Sequence, residues 1–162
     1  MQYWLMKSEP EAFSIQDLKK NKTTGWDGVR NYQARNLMRD QMQIGDRVLF
    51  YHSNAEPPGV VGLAEVSKTG LVDPSQFDPA SKYHDPKADP ENPRWIMVEI
   101  AFLEQFKQIV SLPEMREMAE LDGMMVLQKG ARLSVQPVSE AHFKLICARA
   151  GSQIQKSQKT KK

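Results

Sequence analysis

The sequence predicts one α+β domain built around a strongly curved mixed sheet or a small barrel. Stretches with the alternation of strands mostly follow one another along the chain, and helical patterns are interspersed singly between them. This order disfavours a doubly wound parallel sheet, and no glycine-rich phosphate loop follows a predicted strand. The 162 residues, 40% hydrophobic and 26% charged, fit one ordinary globular domain without internal repeats.

Three elements are predicted near the N-terminus. Residues 2–8 carry apolar side chains on both alternating faces, which indicates a central strand. Ser14 followed by Asp17 resembles a capping box and predicts a short helix. Asn31 predicts the N-cap of a second helix running to about Met42, because apolar residues follow it at helical spacing.

The remaining elements follow from turn residues and alternation. Strands are predicted at 46–54, 60–67, 94–106 and 132–138, and helices at 111–123 and from Ser139 to about Gly151. Residues 70–94 hold five of the ten prolines and show no regular periodicity. We therefore expect a long surface loop there.

The positive net charge belongs to the C-terminal end of the chain. Residues 151–162 carry four Lys and no acid, so the other 150 residues hold 22 − 4 = 18 basic and 20 acidic side chains, a net of −2. This division predicts a folded domain at 1–150 and a basic, disordered tail at 151–162. If nucleic acid is the partner, the domain must bind it locally, and the tail is expected to supply the salt-dependent, sequence-independent part.

Several function classes are disfavoured by composition. The start of the chain has no basic region before a long apolar run, and no apolar stretch approaches the roughly 20 residues of a membrane span. The single cysteine, Cys147, lies in an apolar pattern and is expected to be a core residue. One unpaired cysteine favours a reducing compartment, the cytoplasm or, in a eukaryote, the nucleus.

The stretch "GWDGVRNYQARNLMR", residues 25–39, is the first candidate for function. Gly25 and Gly28 flank Trp26 and permit a backbone path that presents the indole outward. With Asn31 and the backbone N–H groups that follow it, Trp26 offers what a flat polar heterocycle requires, a stacking wall and edge-reading amides. The alternative is that Trp26 is buried and Asn31 only caps the helix.

Other polar clusters give no catalytic or metal pattern. His52 and Ser53 are adjacent on a predicted strand, as are Lys7 and Ser8, so the members of each pair point to opposite faces and do not form a nucleophile–base pair. The loop contains several acidic or imidazole side chains whose spacing matches no calcium or zinc signature. They are expected to be solvated, with no metal or cofactor: Asp73, Asp78, His84, Asp85, Asp89 and Glu91. Arg35 and Arg39 lie off the apolar stripe and are likewise expected to be solvated.

Seven motifs in order resemble the EVE-domain family over about residues 2–147: "YWLMKSEP", "WDGVRNYQARN", "FYHSN", "PPG", "QFD", "RW" and "RLSVQP". The resemblance implies a PUA-like pseudo-barrel with flanking helices, a fold shared with the YTH and ASCH domains. It also implies a non-enzymatic reader that holds a modified base, notably a modified cytosine in DNA or RNA, in an aromatic-walled pocket.

The same resemblance implies which residues form the pocket. Trp26 corresponds to the leading aromatic wall of the YTH relatives, with Ser8, Asn31 and Ser53 nearby, and Trp95 and Gln136 are weaker candidates for the far wall. The full set of predicted ligand-binding residues is Lys7, Ser8, Trp26, Val29, Arg30, Asn31, Tyr51, His52, Ser53, Trp95, Ser134 and Gln136. Two alternatives remain open: an ASCH-type hydrolase or nuclease using Lys7 or His52, and a binder of a free nucleoside or small heterocycle.

Overall fold

A six-stranded mixed sheet forms the centre of the domain. A computed structural model describes residues 1–130 and 132–154. The strand order in the sheet is β2-β5-β4-β3-β1-β6, with β1 and β3 parallel and the other neighbours antiparallel. The strands are β1 Tyr3–Ser8, β2 Thr23–Gly25, β3 Arg47–His52, β4 Gly59–Val72, β5 Ile96–Ser111 and β6 Val135–Val138. The predicted α+β class with a mixed sheet is confirmed.

Each of the four α-helices begins at a polar N-cap. The helices are α1 Ile15–Asn21, α2 Tyr32–Asn36, α3 Leu112–Glu117 and α4 Glu140–Ala150, and their N-caps are Ser14, Asn31, Ser111 and Ser139. The predicted capping box is present, since Ser14 and Asp17 each bond the other's backbone N–H. None of the helices among the residues described is long and apolar enough to cross a membrane.

Two helices differ from the prediction. The helix from Asn31 changes after α2 into a π-helical turn, Leu37–Gln41, and ends before Met42. The helix predicted to reach 123 ends at Glu117, because Met118 leaves helical geometry with a ψ of 100°. Two short 3₁₀ turns then carry the chain onward.

Strand β1 is central, as its apolar faces predict. It pairs with β3 on one side and β6 on the other, and core residues cover both of its faces. Trp4 and Met6 belong to the core cluster that contains Trp26, whereas Leu5 belongs to the cluster beneath α4. The sheet therefore separates two hydrophobic cores, and the 25–39 segment lies on the side opposite α4.

The β4–β5 ladder is longer than alternation predicts. It extends from the pair Gly59–Ser111 to the pair Val72–Ile96, and its register shifts at several places. Such irregularities bend a strand and increase its twist, and they also hide its period from sequence inspection. As a result the predicted loop begins only after Val72.

The packed domain continues slightly past residue 150. Gly151 adopts the left-handed conformation (φ 69°) that ends α4, and Ser152 is buried with its Oγ 2.6 Å from Glu104 Oε1. Residues 155–162, which contain the four Lys of the predicted disordered tail, lie outside the described residues.

Candidate functional site

A cleft of about 1160 Å³ opens on the side of the sheet that carries Trp26. It lies between the ends of β1 and β3, the 24–31 segment and residues 132–134, with Lys82 and Tyr83 at its rim. Eight of the predicted site residues line it: Lys7, Ser8, Trp26, Val29, Arg30, Asn31, Ser53 and Ser134. Four others, Tyr51, His52, Trp95 and Gln136, are not part of its lining.

The strand pairing explains how Ser8 and Ser53 come together. Parallel neighbours end at the same edge of a sheet, and the pair Ser8–His52 closes the β1–β3 ladder there. The backbone N–H of Ser53 donates to the Ser8 carbonyl at 3.0 Å. The Ser8 hydroxyl donates to the Phe13 carbonyl at 2.6 Å, so toward the cleft it is an acceptor.

Trp26 is both a core residue and a wall of the cleft. It is 8% exposed, and its ring meets Phe50 edge-on with centroids 5.6 Å apart. The indole Nε1 makes no hydrogen bond with the described residues. Every buried side-chain nitrogen or oxygen of those residues has a hydrogen-bond partner, so an atom without one is not buried. The indole N–H is therefore not buried, and Trp26 is a lining residue of the cleft. Trp26 is thus buried in the core and also lines the cleft, and its role as a stacking wall for a base stays a prediction.

Gly28 is fixed by its conformation and by its neighbour. Its φ is 76°, a left-handed value that glycine adopts without strain, and an added Cβ would lie 2.7 Å from the Tyr83 ring. Tyr83 therefore packs directly onto the turn that follows Trp26. A side chain at position 28 would push the rim of the cleft away from its wall.

Asn31 is an exposed N-cap at the edge of the cleft. Its Oδ1 accepts from the Ala34 backbone N–H at 3.0 Å, as the sequence predicts. The amide Nδ2 has no hydrogen-bond partner among the residues described. Asn31 thus combines the cap with an available donor beside Trp26.

Arg30 is committed to an internal network rather than to solvent. Its Nη1 lies 3.0 Å from Asp73 Oδ2, its Nη2 donates to Ser75 Oγ, and its Nε donates to the Tyr83 carbonyl. Asp73 also accepts from the Gly28 backbone N–H at 2.8 Å. The expectation that Asp73 is solvated is therefore wrong: its side chain is 3% exposed and ties the loop to the cleft.

Hydrogen bonds control the charge of Asp73. Burial acts to raise the pKa of this carboxyl, but donors from Ser75, Gly28 and Arg30 outweigh it, so the pKa lies below its usual value. Asp27, which lines the cleft, shows the reverse. Burial and then the negative charge of Asp73 raise the pKa of Asp27.

Sequence reasoning missed seven charged or polar residues of the lining: Glu9, Thr24, Asp27, Asn54, Lys82, Tyr83 and Arg132. Asp27 follows Trp26 directly, and its position between Trp26 and Gly28 could have identified it. Lys82 and Tyr83 lie in a loop without periodicity, so no local signal marks them. Lys82 and Arg132 are exposed, and they bring positive charge to a domain that is otherwise slightly acidic.

Two of the four predicted residues outside the lining, Tyr51 and His52, are buried and support the fold next to the cleft. Tyr51 belongs to the hydrophobic core beneath α4, although Lys7 Nζ lies 5.8 Å from its ring centroid. His52 is buried, and its Nε2 accepts from the Ile15 backbone N–H at 3.1 Å. That bond uses the lone pair that a general base needs.

The other two support neighbouring segments. Trp95 is 5% exposed and its Nε1 donates to Asp85 Oδ2 at 2.8 Å, so Asp85, expected to be solvated, is also bonded. The side chain of Gln136 is buried, and its Nε2 donates to the Leu133 carbonyl at 2.8 Å. Neither residue forms the far wall that the sequence suggested.

His52 gives the fold a pH dependence that can be measured. Burial lowers the pKa of its imidazole below the ordinary value near 6.5, so the unfolded chain binds a proton more readily than the folded one. His52 therefore makes its full contribution to stability above about pH 6.5, and this contribution is lost as the pH falls through the folded pKa. We expect the free energy of unfolding of His52→Gln to vary less than wild type between pH 7 and pH 5 in urea titrations. Equal pH slopes for the two proteins would contradict this.

The described residues offer no metal site and no reactive thiol. Residues 1–130 and 132–154 contain no group of three or more His, Cys, Asp or Glu side chains placed to hold a metal ion. Cys147 is fully buried, and burial, with the charge of Glu104, raises the pKa of its thiol to about 12. Cys147 therefore stays protonated and acts as a core residue.

The chain is similar to known proteins over most of its length. The EVE domain family model matches residues 2–149. Thymocyte nuclear protein 1 from Homo sapiens is 39% identical over an alignment that covers 89% of this chain and 72% of the human protein. A structure of a hypothetical protein from Leishmania major has a TM-score of 0.89 at 47% identity, covering 94% of this chain and 96% of that one.

One similar structure was solved with DNA bound. The crystal structure of human THYN1 protein in complex with 5-methylcytosine-containing DNA has a TM-score of 0.87 at 37% identity, covering 94% of this chain and 99% of that one. The family model alone spans nearly the whole described domain. The chain belongs to the EVE-domain family.

Proposed function

We propose that the cleft holds an unpaired or flipped modified cytosine of a DNA or RNA strand, and that the protein is a reader rather than an enzyme. The observation that carries the proposal is the cleft itself, where Trp26 forms a wall and its indole N–H is available. A relative that is 37% identical over nearly the same length was solved with 5-methylcytosine-containing DNA.

The polar groups of the cleft suit the edge of a cytosine. Cytosine presents amino hydrogens together with ring-nitrogen and carbonyl acceptors. The indole N–H of Trp26 and the Nδ2 of Asn31 are donors, and the Ser8 hydroxyl and the Asp27 carboxylate are acceptors. Ligand pockets are commonly ~300–1,000 Å³. At about 1160 Å³ the cleft has room for a base with part of its backbone.

The enzyme alternative receives little support from the geometry. The Nε2 of His52 accepts a hydrogen bond from the Ile15 backbone N–H, and His52 lies outside the lining. Burial lowers the pKa of Lys7, but its strand neighbour Ser8 uses its proton in a bond to a carbonyl. A nucleophile and a base in mutual contact are not evident in this pair.

Direct binding tests the proposed function. Two single-stranded oligonucleotides of the same sequence are compared, one with 5-methylcytosine and one with cytosine at a single position. In fluorescence anisotropy the protein should bind the methylated strand more tightly. Nucleosides recovered from cellular nucleic acid bound to the protein should be enriched in a modified cytosine by mass. Equal affinity and no enrichment would refute the proposal. Turnover of RNA, DNA or esters that is lost in Lys7→Ala or His52→Ala would instead support the hydrolase.

The Lys-rich end of the chain gives a separate prediction. Removing residues 155–162 deletes four Lys but keeps Ser152 bonded to Glu104. If each Lys contacts one phosphate, the log–log salt slope of binding should fall by up to about 2.8 on single strands and about 3.6 on duplex. Base preference should not change. A slope equal to that of the full chain would assign the phosphate contacts to basic side chains of the folded domain.

A further inference from the structure

A second aromatic surface lies outside the cleft, around Tyr32. Among the large hydrophobic side chains described, four are exposed, and Tyr32 is the aromatic one, at 51%. Its ring stacks on the indole of Trp95 with centroids 4.9 Å apart and an interplanar angle of 21°. Trp95 is 5% exposed and bonded to Asp85, so it holds the Tyr32 ring in place. The result is a fixed ring with much of its surface in solvent.

Arg35 adds positive charge beside this ring. Its guanidinium carbon is 4.7 Å from the Tyr32 ring centroid. Its hydrogen bonds go to neutral oxygens, the Arg94 carbonyl at 2.9 Å and Asn36 Oδ1 at 2.8 Å, and it forms no ion pair within the described part of the chain. Burial, and then the nearby charge of Arg39, lower the pKa of Arg35. Arg35 is thus held in place by hydrogen bonds to neutral oxygens, while the nearby Asp40 carboxylate is hydrogen-bonded to Arg39.

The surface is continuous with the cleft. Asn31 lines the cleft and Tyr32 follows it, so their Cα atoms are about 3.8 Å apart. Arg30, which also lines the cleft, has its guanidinium carbon 5.0 Å from the Trp95 ring. A strand with one nucleotide in the cleft therefore has a neighbouring nucleotide within reach of Tyr32.

An exposed aromatic ring beside an arginine that is bonded only to neutral oxygens matches the chemistry of single-stranded nucleic acid. Every base offers a face for stacking, and every linkage offers a phosphate for a guanidinium. We propose that Tyr32 and Arg35 form a second subsite, which stacks the base adjacent to the one in the cleft and contacts its phosphate without reading its sequence. The inference rests on the proposed function, since it takes the first base to be in the cleft. It makes the ligand a polymer with at least two unstacked nucleotides rather than a free nucleoside.

Variants of Tyr32 test the stacking half of this proposal. Tyr32→Ala and Tyr32→Leu, the latter keeping an apolar cover on Trp95, should each weaken binding of a short single-stranded 5-methylcytosine oligonucleotide by about 5- to 150-fold. Tyr32→Phe retains the ring and should bind like wild type. None of the three should change the affinity for 5-methylcytidine nucleoside. Wild-type oligonucleotide affinity in both Tyr32→Leu and a folded Tyr32→Ala would overturn the subsite.

The charge half is tested by salt dependence with a matched control. Arg35→Ala should lower the log–log salt slope on single-stranded DNA by about 0.7. Arg149→Ala removes an equal charge from α4, beyond the other face of the sheet, and should leave the slope unchanged. An unchanged slope in Arg35→Ala would overturn the phosphate contact.

The two proposals fail in different ways. If the wild-type protein does not distinguish 5-methylcytosine from cytosine but Tyr32→Leu still weakens oligonucleotide binding, the cleft proposal fails and the stacking surface stands. If modified-base preference is present and Tyr32 variants bind normally, the cleft stands alone. Loss of self-association, rather than of nucleic-acid binding, in Tyr32→Leu during sedimentation would assign the surface to a second copy of the chain and overturn the subsite.

Discussion

Replacing Asp73 with alanine is expected to lower the free energy of unfolding by about 3–5 kcal/mol, the range found when one partner of a buried ion pair is removed. The Asp73 carboxylate accepts hydrogen bonds from the Gly28 N–H, the Arg30 guanidinium, and the backbone and hydroxyl of Ser75. Its loss would leave the largely buried Arg30 without its counter-charge. It would also free the turn after Trp26 from the loop that carries Tyr83.

Urea titration of Asp73→Ala against a matched control measures this effect. Asp122→Ala removes the same side chain from an exposed position, where substitutions usually change stability by less than about 0.5 kcal/mol. Asp73→Asn keeps the shape but loses the charge, so its loss should be smaller than that of Asp73→Ala. If Asp73→Ala is as stable as Asp122→Ala, the network does not contribute to the free energy of unfolding.

The same network predicts the acid response of the fold. Because the folded pKa of Asp73 is depressed, its contribution is present above the unfolded value of about 3.9 and is lost as the pH falls through the folded pKa. Asp27 acts in the opposite direction, because its folded pKa is raised. The Asp73 contribution is therefore measured as the difference between wild type and Asp73→Ala, which should shrink in the acid range below about pH 4.

The sequence predicts features that depend on local patterns. Helix starts at Ser14, Asn31, Ser111 and Ser139 require only a polar side chain before an apolar period, and all four are confirmed. The apolar alternation of β1 likewise identified the central strand. The full length of β4 and β5 was not predicted, because shifts of register break the period by which strands are recognised.

Contacts between distant segments could not be predicted in this way. Asp73 contacts Gly28 because the β4–β5 ladder continues to Val72, which places the next residue beside the turn that follows Trp26. The family resemblance made Trp95 a weaker candidate for the far wall of the pocket. Its indole is instead directed to Asp85, and that choice depends on how the loop folds back. The motif around Trp26 identified part of the cleft lining, whereas the rim residues Lys82 and Tyr83 lie in a loop without periodicity.

Replacing Trp26 with alanine is expected to affect both stability and binding. Truncating a buried Trp costs about 3–5 kcal/mol, and Trp26 packs on Phe50 within the core. If the base stacks on its ring, the folded variant should also bind the modified oligonucleotide about 5- to 150-fold more weakly. Melting and binding must therefore be measured on the same preparation, with affinity corrected for the folded fraction.

Trp4 provides the control that separates these two effects. It is fully buried in the same core cluster as Trp26 and is absent from the cleft lining, and its Nε1 donates to Asp46. Trp4→Phe should thus lower stability while leaving the affinity of the folded protein unchanged. Trp26→Phe keeps a ring but loses the unburied indole N–H, so it should weaken binding less than Trp26→Ala. If Trp26→Ala, once folded, binds the modified oligonucleotide as tightly as Trp4→Phe, Trp26 is a core residue alone and the base is not held against it.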